Sequence, residues 1–394
     1  MKKYLIVISS FIIMLCLGGV YAWSIIASAL IKQYNLSALK TQIIFGALIL
    51  IFPLTMIFSG KLSSKLKLKY YGYLSGGIFL LGYLIAGFSS GNFLILLIGY
   101  GILSGIATGF GYWVSLTAPI QQFPERKGLI AGIAAGGFGL GSVVMSELSK
   151  AIIDYNMNIL EFIKLIGLFY GVIILIFSNF IYQPQKISNK AIKIKINEFI
   201  FTSYFNILFL GIFLGTFAGL LIIGSLKLIG EQYNLSTKVL INGIILFSIA
   251  NFLGRLFWGF MSDKIGANFC IFAALLLQGS SIISLNISLN EISYLIISFL
   301  IGFGFGGNFS LFAKETAAIY GVEKMGIIYP YVFLGYAIAG LIGPVSGGFL
   351  YDIANNFTYS ILLASLMSFL GSIIYLMQHI KEKKVDRTSS LQSY

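Results

Sequence analysis

The sequence predicts an all-α integral membrane protein with twelve transmembrane helices in two six-helix pseudo-repeats. Three observations carry that expectation. Of 394 residues, 58% are hydrophobic and 10% charged, with a mean hydropathy of +0.93, which leaves too little polar surface to wrap a water-soluble core of this length. Long apolar stretches recur, each sufficient for the roughly 20 residues that a spanning helix needs. The chain also contains itself twice. Gln33-Tyr34-Asn35-Leu36-Ser37 returns as Gln232-Tyr233-Asn234-Leu235-Ser236, and the same offset of 199 lays GKLSSK at 60–65 over GFMSDK at 259–264. At an offset of 198, Gly128 answers Gly326 and Asp154 answers Asp352, so the duplication runs through most of each half.

The first stretch, about 4–31, follows Lys2 and Lys3 in the manner of a cleaved leader. Its apolar run continues to Lys32, longer than an h-region, and the repeat needs it as the partner of the seventh span, so it is read as a true first helix. Five further spans fall at about 42–60, 70–88, 93–117, 128–150 and 160–181, and six more at 203–227, 239–260, 267–286, 292–313, 326–350 and 357–379. The domains expected are a six-helix bundle at 1–182, a linker at 183–202, a second bundle at 203–380 and a polar tail at 381–394, read as disordered. Within the linker Gln183-Pro184-Gln185 breaks the helix, and the alternation of Ile192, Ile194 and Ile196 with Lys193 and Lys195 suits either an interfacial segment or a solvated connection. Glycine, 45 residues in all, clusters in the fourth and fifth spans. Small residues let helices approach closely, and rows of them on helices four, five, ten and eleven would also serve as sliding surfaces.

The net charge of +13 is a topology signal. Nineteen of the 26 cations fall at one end of the numbered helices, from Lys2 and Lys3 through the 183–202 linker to Arg387, while six (Lys32, Lys40, Lys150, Lys164, Lys227 and Lys238) fall at the other. The positive-inside rule then places both termini and the linker in the cytoplasm, with a plasma or inner membrane as the setting, and leaves no case for nucleic acid. Cys16 and Cys270 lie inside spans and suggest neither disulfide nor metal site, and His379 reads as interfacial. No cofactor is expected, and an enzyme is disfavoured because no buried His, Cys or carboxylate cluster supplies a nucleophile or base.

The remaining cation, Arg255, lies inside the eighth span. A central arginine costs roughly 2.5 to 3.5 kcal/mol on insertion scales, so it should face a protein interior or a watery cavity, the alternative being to snorkel to the headgroups. The chain writes its cations as lysine 23 times and as arginine three times. Lysine would snorkel equally well, whereas a guanidinium grips a carboxylate bidentately and stays charged at any pH. The offset of 199 maps Arg255 onto Met56, so the arginine breaks the repeat. Asn251, one turn earlier on the same face, could orient it, bind substrate or simply pack, and Asn308 is a second buried amide with the same choices. None of the 13 acids is read as lying deep in a span; Glu147 comes closest, with Lys150 as partner, and is the candidate proton site.

The loop after the second span, GKLSSKLKLK, and GRLFWGFMSDKIG at 254–266 resemble the major facilitator superfamily over nearly the whole chain. GVYAWS at 19–24, FPERKGLIAGIAAGGFGLGS at 123–142, GGNFSLF at 306–312 and GLIGP at 340–344 are similar to its oxalate/formate antiporter-like and monocarboxylate transporter branch. The resemblance implies a central site between the halves, with a carboxylate-binding arginine where Arg255 stands, and pocket roles for Tyr21, Asn251, Tyr112, Tyr331 and Tyr336, although each tyrosine read alone also suits packing. It implies gating roles at Gly60, Lys65, Gly259, Asp263 and Lys264. Ser64 replaces the usual aspartate of the first copy, so that contact rests on Asp263. The oxalate exchanger's second cation, a lysine of the eleventh helix, has no counterpart in YPYVFLGYAIAG, which favours a small monocarboxylate such as lactate, pyruvate, acetate or formate. The function expected is therefore a secondary transporter of a small organic anion working by alternating access as uniport, exchange or proton symport. Its partners are the carboxylate, a proton or counter-anion and the bilayer, and it is expected to act as a monomer. A carrier of a dicarboxylate, zwitterion or lipophilic solute is the alternative within transport, and a non-transporting sensor the remoter one.

Overall fold

The computed structural model describes residues 2–62, 66–123, 127–182, 196–287 and 290–391. Every regular element among these residues is helical, as hydrocarbon demands when each backbone group must find its partner within its own segment. The first half comprises α1 (Lys3–Tyr34), α2 (Ala38–Leu62), α3 (Leu68–Gly87), α4 (Phe93–Gln122), α5 (Lys127–Asp154) and α6 (Ile159–Ser178). The second comprises α7 (Ser203–Glu231), α8 (Thr237–Ile265), α9 (Ala267–Asn286), α10 (Glu291–Tyr320), α11 (Ile328–Ala354) and α12 (Thr358–Leu391). Among the described residues ten helices are long and apolar enough to cross a membrane, and α5 contains a shorter apolar stretch, Gly132–Leu148. The 20 residues of α3 include tyrosines 70, 71, 73 and 83 and five glycines, which dilute its hydropathy.

Two expectations need correcting. Lys227 does not sit at a helix end, because α7 continues a full turn past it to Glu231 and leaves its side chain buried, 6% exposed. The polar tail is not irregular where it is described: α12 carries helical backbone on to Leu391. Linker residues 183–195 and the tail's last three lie outside the described residues, as does Lys65.

The repeated QYNLS motif does the same work in both copies. Asn35 and Asn234 take left-handed backbone, with φ of 55° and 54°, a conformation asparagine tolerates and β-branched residues avoid; α1 ends directly before Asn35, and α7 ends at Glu231 with a turn leading to Asn234. Two residues before each asparagine, the glutamine ties the end of that helix to the start of its repeat's sixth helix: Gln33 Oε1 accepts from Ile159 N at 2.8 Å, and Gln232 Oε1 from Phe357 N at 3.3 Å.

The halves meet along α2 with α11 and α5 with α8, and α1 also packs on α7. At the end carrying the QYNLS turns they are bound by charge. Glu231 Oε1 accepts from Lys32 Nζ at 2.9 Å and from Ser28 Oγ at 2.8 Å, while Lys227 lies 3.8 Å away on its own helix. Lys32 and Glu231 are separated by 199 residues, so the two copies of one ancestral position carry opposite charges and clasp each other. Nearby, the Asp352 carboxylate accepts from the amides of Ala38 and Leu39, both at 3.1 Å, satisfying donors that the first turn of α2 would otherwise leave unpaired and opposing its dipole. Breaking one arm of this clasp should loosen that end. With spin labels on the ends of α1 and α7, Glu231→Gln is expected to populate longer distances, and the swap Lys32→Glu with Glu231→Lys to restore the short one.

Candidate functional site

Below the charged clasp the halves are joined by an aromatic layer. The hydroxyls of Tyr21 on α1 and Tyr336 on α11 lie 3.2 Å apart, Tyr21 meets Phe305 edge-on at 6.2 Å, and Phe52 meets Tyr336 at 6.3 Å. Ser142 Oγ on α5 donates to Ser248 Oγ on α8 at 2.6 Å. Beyond this layer, toward the lysine-rich end, the helices part around a cavity of about 970 Å³. Its walls are α2, α4 and α5 from the first half and their repeat mates α8, α10 and α11 from the second.

Arg255 is the charged residue of that wall. Three features aim it. Asn251, one turn earlier on α8 and fully buried, accepts from Nε through Oδ1 at 3.0 Å. The guanidinium lies over the ring of Phe309, 4.2 Å from its centroid, a cation–π contact worth roughly 0.5 to 2 kcal/mol according to its dehydration. Tyr112 stands beside it from the other half. The helix carrying it is set by glycine: α8 and α10 pack so closely that a Cβ on Gly306 would lie 3.0 Å from the backbone nitrogen of Arg255 and against the Asn251 carbonyl. Among the described residues no acid forms an ion pair with Arg255. Met56, its mate in the repeat, lines the same cavity.

The comparisons with known proteins agree with this architecture. The family model described as Major Facilitator Superfamily matches residues 6–329 and, in a second match, 208–392. The chain belongs to the Major Facilitator Superfamily. It is 27% identical over 348 residues to the uncharacterized MFS-type transporter YhjX of Escherichia coli K12, covering 86% of each chain. It is 26% identical over 283 residues to the oxalate:formate antiporter of Oxalobacter formigenes, covering 68% of this chain and 66% of that one. Among solved structures, a bacterial homolog of the human lysosomal transporter Spinster, in an inward-facing and unoccupied conformation, superposes with a TM-score of 0.73 at 14% identity, covering 95% of this chain and 98% of that one. This facilitator is a multi-pass membrane transporter and not an enzyme.

Of the residues singled out in the sequence, Arg255, Tyr112, Tyr331 and Gly60 line the cavity, with Asn251 directly behind the guanidinium. Tyr21 and Tyr336 close it off from the clasped end. Asn308 is not brought to the site: 2% exposed, it points into the second bundle, where its Nδ2 donates to Phe305 O at 3.1 Å and to Gln278 Oε1 at 3.4 Å. Glu147 is no buried proton site, because its side chain is 52% exposed and bonded to Lys150 at 2.6 Å. Among the described residues Asp263 pairs with Lys314 of α10, Lys264 lies 4.5 Å from the Phe260 ring centroid, and the nearest neighbour to a Cβ on Gly259 is Ser310 at 3.8 Å. Sequence reasoning missed Phe309, Trp113 and Tyr329 on the wall, and the clasp residues Glu231, Lys227 and Asp352. The clasp had left a signal, since the offset of 199 pairs Lys32 with Glu231.

Close packing of α8 on α10 is directly testable. Gly306→Val should destabilise the protein by roughly 1 to 3 kcal/mol through overpacking, read as a lower Tm, whereas Gly77→Val, where an added Cβ meets nothing within 4 Å, should leave Tm within a degree or two of the parent.

Proposed function

We propose that this protein carries a monocarboxylate across the membrane by alternating access, with the Arg255 guanidinium as the carboxylate site. The observation that supports this most strongly is a charge without a counter-charge: Arg255 faces a cavity between the halves, its Nε is held by Asn251, and among the described residues no acid pairs with it. With Nε occupied, the outer edge of the fork is left for an anion, and a carboxylate matches it in shape and charge. One cation suits a monoanion. The relationship to an oxalate:formate antiporter is in keeping with a carboxylate as cargo.

Orientation follows from the charge distribution. The cavity mouth opens at the lysine-rich end, which the positive-inside rule assigns to the cytoplasm together with both termini. The clasped state is then open inward in a plasma or inner membrane. Exchange is the mode proposed: occluding an empty guanidinium leaves a buried charge uncompensated, whereas a bound carboxylate neutralises it. The loaded carrier therefore reorients more readily than the empty one.

Counterflow in proteoliposomes tests this reading. Uptake of labelled formate, acetate, lactate and pyruvate is expected to accelerate with unlabelled carboxylate inside, to vanish in Arg255→Ala and to fall at least about tenfold in Arg255→Lys, where a point charge replaces the fork. Wild-type rates in both variants would overturn the assignment. Asn251→Leu should raise the half-saturation concentration by about tenfold, the equivalent of a lost hydrogen bond to a charged group, with a smaller change in maximal rate.

A further inference from the structure

We propose that the anion carried at Arg255 is two-ended, a monocarboxylate with a bulky alkyl or aryl body, and that the two halves of the transporter read its two ends separately. This rests on the carboxylate-site reading above and narrows the small-monocarboxylate class expected from sequence.

The cavity is lopsided in chemistry. Its second-half wall holds Arg255, while the position that the repeat makes equivalent holds Met56, and both line the same space. Where a symmetric carrier would offer a second charge, this one offers a thioether, flexible and polarizable and able to pack against varied apolar shapes. Around Met56 the first half adds Pro53, Ile57, Leu116 and Ile120. These side chains give a carboxylate nothing to bind, and they favour any ligand that removes apolar surface from water, by roughly 25 cal/mol per Å².

The charges on the wall disfavour a dianion. Arg255 is the only charged group among the described residues lining the cavity, so a second carboxylate would enter without a partner. The volume permits a two-ended ligand: the inward-open cavity of about 970 Å³ has room for a drug-sized body. A small anion would engage the charged half alone. A two-ended one joins guanidinium to thioether across the gap that alternating access must close.

The test measures dissociation constants for a homologous series, formate, acetate, butyrate and hexanoate, with benzoate and phenylacetate, on purified full-length protein in nanodiscs, using the corresponding primary amides as uncharged controls. Affinity is expected to rise by about fourfold per added methylene from acetate to hexanoate, the equivalent of ~0.8 kcal/mol per buried CH₂. The amides should bind far more weakly, Met56→Ser should shrink the increment per methylene, and the series should be lost in both Arg255→Ala and Arg255→Gln, each checked for an unchanged Tm. Arg255-dependent binding that is flat along the series, or tightest for formate, would overturn the two-ended ligand while leaving the carboxylate site standing. A chain-length dependence that persists in both arginine variants would also overturn it, as partition into lipid. Absence of binding by every carboxylate would remove the underlying reading with it.

Discussion

The Arg255 guanidinium, with no acid paired to it among the described residues, organises this transporter. A charge within a spanning helix costs several kcal/mol unless it is solvated or paired, and among the described residues Arg255 receives a neutral amide, an aromatic face, the Tyr112 side chain and an opening to a cavity. Each of these fixes its direction and none neutralises it. Its neighbours follow from that constraint: Gly306 brings α10 against the backbone of Arg255, Phe309 covers one face of the guanidinium, and Asn251 holds Nε. A resident carboxylate would have made Arg255 a structural ion pair.

The duplication explains why the molecule has one closed end and one open end. Symmetric sequence would build symmetric halves, and the function depends on where the copies diverged. At the clasped end, one ancestral position became Lys32 in the first copy and Glu231 in the second, so two surfaces that would otherwise repel or ignore each other attract. At mid-depth another became Met56 and Arg255, dividing the cavity into an apolar and a charged side. The clasp is modest in strength. Lys32 is largely exposed, and pairs of that kind contribute roughly 0 to 1 kcal/mol. A carrier that must open this end in every cycle needs contacts of that size rather than a dry interface that would lock it.

Much of the architecture was legible in the chain because membrane proteins expose their plan. The spans follow from hydropathy, the halves from the repeated QYNLS motif, and the singular Arg255 from its rarity and its lack of a repeat mate. What escaped did so for geometric reasons. Lys227 was read as a helix end because its charge interrupts the apolar stretch, yet α7 runs one more turn, Leu228-Ile229-Gly230-Glu231, and its closing Glu231 pairs with Lys227 and with Lys32 of α1. Asn308 and Phe309 are adjacent, and residues one apart on a helix face directions about 100° different. Composition marked the asparagine, but the phenylalanine is the one turned to the cavity. Tyr21 and Tyr336 are legible as residues, but only the fold shows that their hydroxyls meet each other across the halves.

With arginine at only three positions, 126, 255 and 387, uniform ¹⁵N-arginine labelling gives a spectrum in which the buried guanidinium can be followed alone. Solid-state NMR dipolar recoupling between those nitrogens and the ¹³C-labelled carboxyl of a carried anion in native-like bilayers measures the contact on which everything else depends. The account predicts a separation of about 4 Å or less to the Arg255 guanidinium, as a direct charge-assisted hydrogen bond requires. A bound, transported anion showing no coupling to that guanidinium would contradict it.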